Sequence, residues 1–210
     1  KKIMSFPARP TLFGAQYAFI LTLLTALIFY LNGGIGKGIV SFRILLTIAG
    51  VFSISFAEEI IFRGVILEKF RERKKRMTGL LITSMLWSMA HLFYANFNPF
   101  SYINTFMFGI IIGGLFLKDE NLSGATAFHF VWNLMLFNVF GFTLSGINAG
   151  FSIFRPNLPE VQGLLWGGGY GPEGSIIVTM LLLLPAIRVI KRELAISDVF
   201  MKQNTNGKKV

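Results

Sequence analysis

The chain has no cysteine among its 210 residues, and it has only two histidines and two aspartates, Asp119 and Asp198. The lack of thiols excludes a disulfide scaffold, a thiolate metal site and a cysteine nucleophile. Charge is also scarce. Asp, Glu, Lys and Arg make up 14% of the residues, against about 25% in an average soluble domain. So little polar side chain can neither clothe a soluble domain of this size nor hold a chain disordered. The composition is apolar instead: 53% hydrophobic, 23 of the residues Phe, mean hydropathy +0.62. The charge that remains is lopsided, with 20 Lys and Arg against 10 acids and a net charge of +10. A multi-spanning membrane protein whose charges sit in short loops accounts for both facts. The sequence opens on Lys1, so the chain is expected to be a piece trimmed from a longer one.

Six apolar stretches follow one another, at residues 12–31, 39–67, 78–97, 102–117, 122–142 and 175–190. They are continuous runs near spanning length rather than ten-residue alternations, which points to helices and not to a barrel. The expected fold is therefore all-α: a polytopic bundle of six spans, one integral-membrane domain over residues 1–210, with 191–210 a polar cytoplasmic tail. Charge orients it. Six spans put both termini, the loop at 69–76 and the loop at Lys118 on one side. That side collects Lys1, Lys2, Arg9, the six bases of 69–76, Lys118, Arg188, Lys191, Arg192, Lys202, Lys208 and Lys209. The other side holds Lys37 and Arg155, with Arg43 near its edge. By the positive-inside rule both termini are cytoplasmic, as expected of a protein of a bacterial inner membrane. Topology and attraction to anionic lipid headgroups suffice to explain the basic block without any further partner. No aromatic residues interleave with the bases as a nucleic-acid surface would require, so no nucleic-acid partner is expected.

Within these spans a few polar residues stand out, because a charge at mid-membrane costs roughly 2.5–3.5 kcal/mol on insertion scales. Glu58, Glu59 and Arg63 lie together in the second stretch, His91 in the third, and His129 and Asn133 in the fifth. Glu59 and Arg63 are four apart and can pair on one helix face. Glu58 is turned about 100° from Glu59. His129 and Asn133 share a face by the same spacing, and Trp87 and His91 place an indole beside an imidazole. A rise of about 1.5 Å per residue puts Glu58, His91 and His129 about 15, 20 and 10 Å in from the cytoplasmic ends, compatible with one level. Each feature has a plain reading: Glu59–Arg63 as an internal salt bridge, a histidine bonded to a carbonyl, Asn133 as interhelical glue. Together they form an intramembrane ionisable cluster, which is a functional-site candidate. Elsewhere, Gly109 and Gly113 form a Gly-x-x-x-Gly read as close helix packing, residues 167–174 with Glu173 read as an ordered loop in preference to a lid on the outer side, and Pro185 as a kink. Trp87 and Trp132 flank the cluster.

Several chemistries are missing their parts. Ser84 and Ser88 sit in no Gly-x-Ser-x-Gly elbow, and Asp119 and Asp198 lie in a loop and the tail. There is no His-Glu-x-x-His, and no Walker loop, since Gly38 is followed by Ile39. Water activated by Glu and His remains. With Arg63 on Glu59, Glu58 stays free as a base, and with His91 it activates water against a carbonyl carbon. His129 and Asn133 donate to the developing oxyanion. Two other classes fit the same residues. One is a non-catalytic membrane protein, such as a bacteriocin-immunity or scaffold protein. The other is a transporter using the cluster as a relay, which the absence of inverted repeats disfavours.

The residues Glu58-Glu59-Ile-Ile-Phe-Arg63, Trp87-x-x-x-His91 and His129-x-x-x-Asn133 resemble, in order, the three motifs of the CAAX-protease and bacteriocin-processing (CPBP, or Abi) family of intramembrane proteases. Trp87 stands where that family usually has Phe. The likeness runs over about residues 53–138. It implies an all-helical membrane endopeptidase acting on a membrane-bound protein or peptide, of prenylated CAAX or leader-peptide type. In it Glu58 and His91 activate water, His129 and Asn133 form the oxyanion side, and Glu59 and Arg63 support the first motif. It also offers Glu58, His91 and His129 as a candidate zinc set with an open position, although the same residues serve without metal.

Overall fold

A computed structural model describes residues 2–157 and 163–206. Helices dominate it. Among the described residues six long helical segments occupy the six apolar stretches: α1 (Ala8–Gly33), α2 (Ile44–Glu72), α3 (Arg76–Ala90), α4 (Pro99–Asp119), α5 (Ser123–Asn133) and α6 (Ile176–Asn206). Three of them, α1, α2 and α4, are long and apolar enough to cross a membrane on their own account. The other three fall short for visible reasons. α3 stops at Ala90 and gives way to one tight turn, His91–Phe93, while α5 is prolonged only by Leu134–Val139. α6 is long, but Arg188, Lys191, Arg192 and Glu193 break its apolar run. It also continues as helix through residues 191–206, part of the stretch expected as a tail. Lys1, Lys208 and Lys209 lie outside the described residues.

α4 is the spine, with 78% of its apolar window buried inside the protein against 11% for α2. Its start is well defined. Asn98 accepts from the backbone N–H groups of Phe100 and Ser101, Ser101 returns a bond to Asn98, and Pro99 fills a position whose N–H would be orphaned. The Gly-x-x-x-Gly reading holds. A side chain at Gly109 would meet the backbone of Ser84 at 2.9 Å, and one at Gly113 would meet Leu80 at 2.6 Å. The bare backbone thus lets α4 lie directly on α3. α1 packs along α5 in the same way, with Gly14 against the carbonyl of Gly124.

Two features were absent from the sequence reading. A short antiparallel ribbon pairs β1 (Ile35–Lys37) with β2 (Phe154–Pro156), joining the two loops at the less basic end. Two of the three helices that carry motif residues widen into π-helical turns, Ile60–Leu67 in α2 and Leu134–Val139 after α5. Such turns concentrate at functional sites because they re-aim the side chains on either side.

The basic end is more than a row of topology signals. Glu193, fully buried, accepts from Arg76 Nε at 2.9 Å and Arg192 Nη2 at 2.8 Å. Arg76 also donates to the Leu117 carbonyl, Arg71 pairs with Glu68, and both arginines reach Glu120. These bases therefore lace α2, α3, α4 and α6 together, a structural task beside the topology they signal. Gly109→Val should force α3 and α4 apart. The expected loss is about 1–3 kcal/mol, read as a lowered midpoint of thermal unfolding in detergent.

Candidate active site

The site is assembled around a buried carboxylate. Glu59 and Arg63, both 0% exposed, pair at 2.9 Å as their spacing predicted. The same Glu59 oxygen also meets His129 Nδ1 at 2.9 Å, a contact the sequence did not announce. A carboxylate beside a guanidinium only accepts, so His129 donates from Nδ1 and turns Nε2 the other way. Nε2 then lies 4.0 Å from Glu58 Oε2. Arg63 reaches toward the Gly109 carbonyl at 3.4 Å, and its guanidinium sits 5.0 Å from the ring of Trp87.

Trp87 is the next link. Its indole N–H donates to Glu58 Oε2 at 2.6 Å, and its carbonyl accepts from His91 Nδ1 at 2.8 Å. The helix ends there, and the tight turn at His91–Phe93 holds the imidazole against the last turn of α3. With the proton on Nδ1, His91 keeps an unshared pair on Nε2. Asn133 donates to Ser55 at 3.2 Å, which leaves its second amide hydrogen unused by that bond. Of the two tryptophans that the sequence placed beside the cluster, Trp87 is thus bonded to it.

Glu58, His91, His129 and Asn133 all line one cavity of about 80 Å³ between α2, α3, α4, α5 and α6. That is room for a few water molecules or a strand of peptide backbone. Glu58 is the accessible carboxylate, its side chain 22% exposed. Glu59 and Arg63 do not line the cavity and stand behind its wall. The three residues whose depths were compatible with one level therefore share a space, together with Asn133, and the two expected to support them are placed behind.

The sequence reading missed one wall. The connection over residues 143–175 closes one end of the cavity with Leu144, Ser145 and Glu173. Glu173 accepts from Trp132 Nε1 at 3.0 Å, and from the Ser145 N–H at 3.0 Å and hydroxyl at 2.7 Å. Ser145 is held there in a left-handed conformation, φ 46°. Gly171 makes the fold-back possible, since at φ 93° any side chain would strike the Thr143 carbonyl. The available signal was Glu173 itself, an isolated acid in a glycine-rich stretch.

Among the described residues no three His, Asp or Glu side chains come together closely enough to hold a metal ion. His129 commits Nδ1 to Glu59 and His91 commits its own to a carbonyl, and the indole occupies Glu58. Both imidazole Nε2 atoms stay outside those bonds, so what the set lacks is close approach of its three side chains and not donor chemistry.

Glu59→Ala would leave Arg63 buried without its partner and release His129. A loss of about 3–5 kcal/mol is expected, against a smaller one for Glu59→Gln, which still accepts; denaturation in detergent separates the two.

Residues 40–135 match the family model described as Rce1-like, type II CAAX prenyl endopeptidase. No curated protein and no solved structure matches the chain. The matched stretch carries Glu58, Glu59, Arg63, His91, His129 and Asn133, every residue of the three motifs. Over that stretch the chain is similar to the Rce1-like CAAX endopeptidases, in keeping with the motifs that the sequence resembles.

Proposed function

We propose that this protein is an intramembrane endopeptidase that hydrolyses a peptide bond of a membrane-associated protein or peptide, of CAAX-tail or leader-peptide type. The observation that carries the reading is the convergence of Glu58, His91, His129 and Asn133, from three helices, on one cavity in an apolar bundle. The similarity to that family supports peptidase chemistry in kind. In the proposed topology all six helices lie across a bacterial inner membrane as one domain, and the basic end with both termini is cytoplasmic.

Each residue has a task set by its bonds. Water held between Glu58 and the free Nε2 of His91 gives a proton to Glu58 as its oxygen attacks the scissile carbonyl carbon. The oxyanion that forms accepts from Asn133 Nδ2 and from His129 Nε2. His129 donates there in its doubly protonated form, with its Nδ1–H on Glu59. The protonated Glu58 then passes its proton to the departing amine as the C–N bond breaks, so the products are a carboxylate and an amine. Arg63 holds Glu59 in place without touching the substrate.

The test is cleavage of a lipid-anchored quenched-peptide library by the purified protein in nanodiscs. Glu58→Gln should lower turnover by at least about 10²-fold, and Asn133→Ala by about 10²–10³-fold. Full activity in both variants would overturn the assignment. A non-catalytic scaffold would show no product with any library and would respond to these changes only in stability. Prolonged dialysis against a strong chelator should leave turnover unchanged. Loss that zinc restores would instead make Glu58, His91 and His129 ligands.

A further inference from the structure

The cavity is not centred between the two ends of the bundle. On each of the five helices that line it, the lining residues fall in the half farther from the basic end. Val51 lies early in α2, Trp87 late in α3, Asn104 early in α4, His129 late in α5 and Val178 at the start of α6. Toward the basic end the interior is solid: Leu67, Leu80, Ile112 and Phe116 are fully buried. Beyond them Arg76, Arg192 and Glu193 tie the helix ends shut. No passage to the site opens from that side.

At the opposite end Leu144, Ser145 and Glu173 lie across the cavity, pinned by the three bonds to Glu173. One flank is left. The early part of α2 packs chiefly on α5, whereas its π-helical part packs on α3, so α2 and α3 diverge toward the less basic end. The rim of that gap is formed by Ile54, Tyr94 and Ile147, all of which line the cavity and are exposed. Behind the rim lies Glu58, the accessible carboxylate of the cluster.

We propose that the site takes its substrate from the membrane face opposite the basic end, sideways between α2 and α3. The peptide cut is then an apolar segment at the outer leaflet and not a tail presented at the cytoplasmic surface. The rim is apolar, as a segment sliding in from lipid requires. The inference rests on the peptidase reading and on the orientation given by the basic residues, and it narrows the substrate class that reading left open.

The absence of cysteine makes a direct test available. Three single-cysteine variants are placed by the structure. Ile147→Cys marks the rim, Gly150→Cys marks the connection at a point with open space around it, and Arg73→Cys marks the exposed basic end. A membrane-impermeant maleimide should label the first two in intact cells and Arg73→Cys only after permeabilisation. Any other pattern overturns the proposal. In a second experiment the lipid-anchored quenched peptide is added to vesicles of defined orientation. Right-side-out vesicles should cleave it and inside-out vesicles should not, and the reverse overturns the proposal. If neither cleaves while the labelling pattern stands, it is the peptidase reading that has failed and not the direction of access.

Discussion

A single buried carboxylate organises the interior. Glu59 lies where an unpaired charge would be costly, and it is bonded on one side to Arg63 and on the other to His129. From there the contacts run outward without a break. Arg63 packs on the ring of Trp87, Trp87 donates to Glu58 and holds His91 through its carbonyl, and His129 is turned toward Glu58. Glu58, His91 and His129 are thus oriented by Glu59 directly or through one or two intermediates. The low-dielectric surroundings that make the pair obligatory also make these contacts strong.

The packing of the helices serves the same arrangement. Glycines at the crossing of α3 and α4 bring the two backbones together, and the α4 carbonyl at Gly109 comes within reach of Arg63. The π-helical turns after Glu59 and after Asn133 sit where the two motif helices must aim side chains at a common space. The basic end, laced by arginine and glutamate, fixes how far the helices can part there. The other end is held by a two-residue fold-back and one carboxylate, Glu173. The bundle is closed at one end and divided at the other, and the cavity lies in the divided half.

Much of this was legible in the chain itself. The helices could be read because apolar runs near twenty residues have few alternatives, and the cluster because polar residues are so rare inside them. The Glu59–Arg63 pair and the close packing at Gly109 and Gly113 followed from helical spacing. What could not be read involved residues far apart in sequence. His129 meets Glu59 across 70 positions, and Trp132 meets Glu173 across 41. The π-helical turns leave the hydrophobic pattern unchanged. Helix ends were also misjudged: α6 runs past residue 190, and His91 lies in a tight turn beyond α3 rather than within a helix.

The sequence by itself determined the class of the protein, its helices, the polar residues that matter and the motifs that name their family. These depend on composition and on periodicity along one segment, which a linear reading contains. Only the tertiary structure decided which atom of each residue faces the cavity, because the proton position on His129 and on His91 is set by a partner. It also decided where the cavity lies and on which flank it opens. That depends on how far neighbouring helices diverge, and divergence is a property of pairs of helices that no single segment encodes.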